Sequence, residues 1–266
     1  CASSCPCLGG GGGGCRRRRR QGGGRTDGEG PIALKVFLAV TAFALSLAPG
    51  AAGRAAEALE PPARDWTFQG IFGTFDRAAA QRGLQVYREG CAACHSLDLL
   101  YYRNLEALGY GEEAIQAIAA EHEVTDGPDE EGEMFERPAR PSDRFVAPFP
   151  NPEAARAANN GALPPDLSLI TKARAGGPDY LFALLTGYRE EPPEGVEFVE
   201  GMYYNEYFPG RQIAMPPPLF DDAVEYADGT PATVEQMARD VVTFLSWAAE
   251  PEMEERKRLG IKVILF

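Results

Sequence analysis

Two thiols and an imidazole stand within five residues at Cys91-Ala92-Ala93-Cys94-His95. Thiols three positions apart share one face of a helical turn. Both can therefore reach one edge of a flat macrocycle while the adjacent imidazole turns beneath its centre. The C-x-x-C-H spacing reads as covalent c-type haem attachment, with Cys91 and Cys94 as the thioether donors and His95 as the proximal iron ligand. A structural zinc site would need four ligands, yet beyond residue 56 the only other Cys or His is His122. A thioredoxin-like dithiol would want the motif after a strand in a βαβ unit, whereas the flanks here read as helix and loop.

An electron-transfer haem generally needs a sixth ligand, and the candidates are His122, Met134, Met202, Met215, Met237 and Met253. His122 lies in an acidic cluster, where a solvated surface histidine is the ordinary expectation. Met237 belongs to the amphipathic face Val234, Met237, Val241 and Leu245, where core packing is the default. Met134 and Met253 are surrounded by Glu. Met215 sits in Ala214-Met215-Pro216-Pro217-Pro218-Leu219, where prolines stiffen an extended chain that can hold a thioether against iron. The local chemistry favours Met215 and keeps Met202 in reserve.

Elements that could position these groups follow from pattern. Asp76 to Glu89 is rich in helix formers and runs into the haem motif, with Leu84 and Tyr87 on a shared face. Gly177 to Thr186 reads as a helix with Pro178 near its start and Gly187 as C-cap. Thr230 to Ala249 reads as another, with Thr230 as N-cap and Pro231 at the first position. The expected fold class is mainly α, a c-type cytochrome domain with few strands. About 120 residues separate His95 from Met215, so long loops and insertions must extend a minimal haem domain. Proline-rich stretches such as 138–152 and 191–195 read as ordered or semi-ordered loops.

The ends differ from this middle. Residues 1–30 hold a glycine run, an arginine run and four of the six cysteines, a composition that cannot pack a core and reads as a disordered extension. Residues 31–56 have the layout of a signal peptide, with Lys35 before the apolar run Val36 to Leu47 and small residues after it. The haem domain is expected over 57–250. Residues 251–266 read as a juxtamembrane helix entering a transmembrane anchor, of which Ile261 to Phe266 is the start. Without the first 56 residues the chain has 18 basic against 37 acidic residues, a formal charge of −19. That balance argues against nucleic acid as a partner, whose binding depends on neutralised phosphates. Eight carboxylates lie between Glu121 and Glu136 with no Lys or Arg among them, a surface suited to steering a basic carrier.

Long stretches then carry a resemblance. Besides the haem motif with Tyr87 upstream, they are 126–128 with 132–135, Asn151 through Ser168, Asp179-Tyr180, 184–188, Asn205 with 207–210, 228–233 and 247–252. From about Ala58 onward the chain resembles the cytochrome c1 family. The resemblance implies Met215 as the distal iron ligand and Arg174 beside a haem propionate. It implies a pocket lined by Asn159, Ala162, Pro164, Pro165 and Tyr180. It implies one covalent haem c, a single C-terminal transmembrane helix, and a place in a quinol:cytochrome c oxidoreductase beside cytochrome b. There the domain would take electrons from a Rieske iron–sulfur protein and pass them to soluble cytochrome c. The haem domain would lie on the periplasmic side of an inner membrane, or on the equivalent intermembrane-space side. Read from the haem motif alone, a free periplasmic c-type cytochrome, or one associated with a dehydrogenase or terminal oxidase, is the alternative, as is a haem sensor with an open sixth site.

Overall fold

The computed structural model describes residues 58–192 and 199–266, all of which belong to the part of the chain after Gly53. The expected extension at 1–30 and the expected signal peptide at 31–56 lie outside the described residues. The architecture is mainly helical. Its seven α-helices among the described residues are α1 (Arg77–Val86), α2 (Glu112–Ala120), α3 (Pro152–Ala158), α4 (Ile170–Ala173), α5 (Gly177–Thr186), α6 (Val234–Ala248) and α7 (Met253–Leu265). Two short antiparallel ladders accompany them, β1 (Glu123–Asp126) with β2 (Phe135–Pro138) and β3 (Tyr203–Tyr204) with β4 (Gln212–Ile213).

The centre is the crossing of α1 and α6. Asp76 starts α1, its carboxylate accepting from the Ala79 N–H at 3.1 Å. The face formed by Ala79, Ala80, Gly83, Leu84 and Val86 is buried. Gly83 is required there by space: a Cβ would stand 2.0 Å from the Asp240 carbonyl oxygen of α6. On the α6 side Met237, Val241, Phe244, Leu245 and Trp247 fill the core. Arg82 reaches over the crossing to Asp240 with Nε–Oδ2 2.8 Å and Nη2–Oδ1 3.1 Å. Asp240 has 0% exposure. The fork of two parallel charge-assisted bonds, together with Gln236 donating to the same carboxylate at 3.0 Å, offsets the cost of burying that charge.

The helices expected at the haem motif and at Gly177–Thr186 form where the residues placed them. The third is corrected at its start. Thr233, not Thr230, is the N-cap, its hydroxyl accepting from the Gln236 N–H at 3.2 Å. Tertiary bonds hold 230–232 outside the helix: the Asp222 N–H takes the Ala232 carbonyl at 2.8 Å, and Asp228 accepts from the Thr230 N–H. Met253, despite its glutamate neighbours, is buried in the core at the start of α7. One further expectation fails locally: His122 is half-buried, stacked on Tyr102 at 6.1 Å between ring centroids.

The acidic cluster forms the β1–β2 hairpin and its approach. Glu121 pairs with Arg88 and Asp126 with Arg137, partners that come from outside the run and partly neutralise it. Within 251–266 the helix α7 covers Met253–Leu265. Among the described residues, however, no helix is long and apolar enough to cross a membrane.

Candidate functional site

The end of α1 delivers the two thiols. Its last turn widens into a π-helical turn, Tyr87–Cys91, closed by the Ala92 N–H on the Tyr87 carbonyl at 2.8 Å. The Cys91 carbonyl then accepts from the N–H groups of Cys94 (3.1 Å) and His95 (2.9 Å). This places both cysteines and the imidazole on one tight turn. Cys91 is half-buried and Cys94 exposed. Burial pushes the Cys91 thiol up to about 12, the opposite of the lowered pKa an activated redox dithiol needs.

The His95 ring is held from the far side of the site. Its Nδ1 lies 2.8 Å from the Pro165 carbonyl oxygen. A carbonyl only accepts, so Nδ1 carries the proton and Nε2 keeps its lone pair. Burial lowers the ring's pKa below the ordinary histidine value. A neutral imidazole with Nδ1–H tied to a carbonyl is the form a metal ligand takes. Tyr87 acts one layer behind: its buried phenol donates to the His95 carbonyl at 2.9 Å, while its ring packs on Phe145 and Phe244. That makes Tyr87 a positioning residue for the His95 backbone.

The segment carrying Pro165 is fastened to the His95 loop by Asp166, a residue whose role the sequence reading missed. One carboxylate oxygen accepts from the Ser96 hydroxyl and the Asp98 N–H, each at 2.8 Å. The other accepts from the Ser168 N–H at 2.9 Å. The signal was available in Asp166-Leu167-Ser168, an Asp able to bond its own backbone two residues on. Its long-range partners were not. Upstream, Asn159 closes the end of α3, its amide donating to the Ala155 carbonyl at 2.7 Å. Asn160 and Gly161 then turn through left-handed φ of 51° and 87°, so the chain re-emerges extended through half-buried Ala162 and Pro164.

On the other side, Met215 is half-buried and its carbonyl accepts from the Tyr188 hydroxyl at 3.1 Å. Burial raises the Tyr188 phenol, which also feels Tyr180. Tyr180 in turn feels the positive charge of Arg174. Tyr188, which the sequence reading had only quoted, thus holds the Met215 backbone. Arg174 is exposed and donates to its neighbour Ala173's carbonyl at 3.2 Å. The two sides meet at the π turn, where a Cβ on Gly90 would lie 3.8 Å from the Pro218 carbonyl oxygen.

The donor set fits a haem: two thiols on one turn, an imidazole with Nε2 unencumbered by the bond at Nδ1, and a thioether on a proline-stiffened segment near that turn. The exposed aliphatic side chains Leu99, Leu163 and Leu169 on the flanking segments suit an apolar, planar ligand.

Residues 66–266 match the model of the Cytochrome C1 family. The chain belongs to the cytochrome c1 family. It is 58% identical to the Arabidopsis thaliana protein named cytochrome c1 1, heme protein, mitochondrial, over 80% of this chain and 69% of that one. It is 54% identical to the Candida albicans cytochrome b-c1 complex catalytic subunit, mitochondrial, over 83% and 76% of the two chains. It is 53% identical to the Bradyrhizobium diazoefficiens protein named cytochrome b/c1, over 78% of this chain and 33% of that protein. The mainly helical domain described above is therefore a c-type cytochrome domain.

Proposed function

We propose that this cytochrome c1 is the electron-transfer subunit of a quinol:cytochrome c oxidoreductase, with one haem c joined through thioethers to Cys91 and Cys94 and its iron ligated by His95 and Met215. The observation that carries the reading is the hydrogen bond at His95: with Nδ1–H on the Pro165 carbonyl, Nε2 keeps the lone pair that a metal needs. When bound, haem supplies one-electron redox chemistry at its iron, with no substrate bond made or broken.

The chain's own residues orient and insulate. Pro165 and Tyr87 hold the His95 ring and its backbone, Asp166 locks the two loops together, and Tyr188 holds the Met215 backbone. Thioether ligation and burial raise the reduction potential. Arg174 and Tyr180 serve a propionate, a carboxylate that a guanidinium binds well, and Asn159, Ala162, Pro164 and Pro165 line the pocket. Electrons arrive from a Rieske iron–sulfur protein and leave to a soluble cytochrome c. Cytochrome b is the membrane partner, which the b/c1 and b-c1 names of two relatives support. Residues 251–266 lead into a transmembrane anchor, with residues 57–250 as the haem domain on the exported side.

The decisive experiment is acid–acetone extraction of protein matured in a host competent for haem attachment. Colour retained by the polypeptide is expected; colour lost to the solvent overturns the reading. Met215→Ala in parallel should open the sixth site to carbon monoxide. An unchanged spectrum and no ligand binding would remove Met215 from its role. Charge-neutralising Glu130, Glu131 and Glu133, exposed at the hairpin tip, should slow carrier reduction and flatten its salt dependence. Unaltered kinetics would remove the steering role.

A further inference from the structure

The loop from Trp66 to Thr74 has a buried base and an exposed tip. Trp66 and Phe68 stack at 5.6 Å between centroids, and Phe68 meets Phe75 at 5.1 Å. Gly70 takes a left-handed φ of 73°. A Cβ on Gly73 would stand 1.9 Å from the Gln69 carbonyl oxygen. Between these two glycines Ile71 is 69% and Phe72 82% exposed. The exposure is not slack chain, because the loop is tied to α7 at both sides of its tip. The Lys257 ammonium donates to the Phe68 carbonyl at 2.7 Å and to the Gly73 carbonyl at 2.9 Å. Glu254, one turn earlier on α7, accepts from the Phe75 N–H and pairs with Arg77 through both oxygens.

The helix that holds this loop changes character just past the tie. Leu259, Val263, Ile264 and Leu265 are all exposed. Phe72 neighbours Gly73, so its Cα stands about 3.8 Å from the Cα of a residue bonded to Lys257. Two displayed apolar surfaces, one on a loop and one on a helix, are therefore fastened together where the helix turns apolar. Four cations, Arg256, Lys257, Arg258 and Lys262, stand on α7 against two carboxylates, Glu254 and Glu255.

We propose that Ile71 and Phe72 insert into the headgroup–acyl boundary of an anionic membrane beside α7, giving the domain a second, shallow contact with the bilayer. The proposal rests on reading α7 as the entry to a membrane anchor. Lipid fits better than a protein partner on three grounds. The tip is only two side chains, too small for a specific protein interface. It is fastened to the apolar surface the anchor itself would present. Arg258 and Lys262, the α7 cations engaged neither by Glu250 nor by the loop carbonyls, complement anionic headgroups, and an aromatic tip with an apolar neighbour is the composition of an interfacial contact. Such a contact would fix the tilt of the haem domain over the membrane, where a helix alone leaves it free to swivel.

The test places a nitroxide at residue 72 (Phe72→Cys) and, as an aqueous reference, at the exposed residue 134 (Met134→Cys), in haem-loaded full-length protein reconstituted into anionic phospholipid vesicles. The ratio of oxygen to nickel-chelate accessibility should be severalfold higher at 72 than at 134. Equal ratios would place the tip in water and overturn the proposal. Shielding from both reagents would mean a protein covers it, and would overturn it as well. Alkaline carbonate separates the two readings. Protein washed off the vesicles sinks the anchor and the tip together, whereas protein that stays with an aqueous label at 72 sinks the tip alone. An unchanged haem spectrum and melting temperature in Phe72→Cys ensures that the label reports on a native loop.

Discussion

The α1–α6 crossing and the loops that face each other across the candidate haem site are built on opposite plans. The crossing is dry and closely packed around one buried ion pair: Gly83 admits the Asp240 backbone, Arg82 forks onto the Asp240 carboxylate, and Phe244, Trp247 and Met237 leave almost no surface to water. The site is half-open, and its specificity comes from single hydrogen bonds that run between segments about 70 residues apart, His95 to Pro165 and Ser96 to Asp166. Packing can hold a helix pair whatever its detailed sequence, within volume limits. A metal ligand must instead be aimed, and aim is supplied by directional bonds to backbone. The difference teaches that the fold should survive damage to the site, whereas the site should not survive damage to the crossing.

Asp240→Ala breaks this comparison hardest. It leaves the half-buried Arg82 guanidinium with Asp228 as its remaining carboxylate partner and the Gln236 amide without its acceptor, and should cost about 3 kcal/mol, read as a lower denaturant midpoint with loss of the haem optical signature in the same transition. Asp166→Ala should do the reverse. Removing bonds to Ser96, Asp98 and Ser168 costs about 1–3 kcal/mol. The secondary structure should persist by circular dichroism while the site becomes open to carbon monoxide. If both signals fall together, the two regions are not separable. Thr233→Ala should cost about 1 kcal/mol in global stability as a lost helix cap, with no change at the haem. Tyr87→Phe should cost about 1 kcal/mol and also alter the reduction potential, because its phenol touches the His95 carbonyl.

The smallest expected effect is in acid. The Arg77 guanidinium beside Glu254, and then the Phe75 N–H, hold that carboxyl below the usual range. A depressed native pKa stabilises the fold above the unfolded value, and that stability is lost as pH falls through the native one. Glu254→Gln should therefore lower stability at neutral pH and flatten its decline in acid, seen in melting temperatures across pH. An identical acid limb in the variant would show that the α7 tie contributes nothing.

Much of this was legible in the residues. Gly187 after an apolar helix, and Pro178 inside its first turn, placed α5 correctly because caps act locally. Met237 was correctly assigned to the core from its face alone. Thr230 failed as a cap because both it and Thr233 satisfy the local rule, and bonds from Asp222 and Asp228 decide between them. Met253 lies among glutamates that point elsewhere: Glu254 turns to Arg77, while the methionine turns into the core. His122 gained a stacking partner, Tyr102, from 20 residues away.

The haem motif and its helix follow from spacing and side-chain chemistry, which act over a few residues and can be read along the chain. The aim of the imidazole could not be read that way. It depends on a carbonyl, a group every residue owns, and only the path of the folded chain decides which of them reaches His95. The same holds for the glycine under Asp240 and for the lysine that ties an apolar loop to the last helix. Contact across long stretches of chain is a property of three-dimensional closure, and no local pattern encodes it.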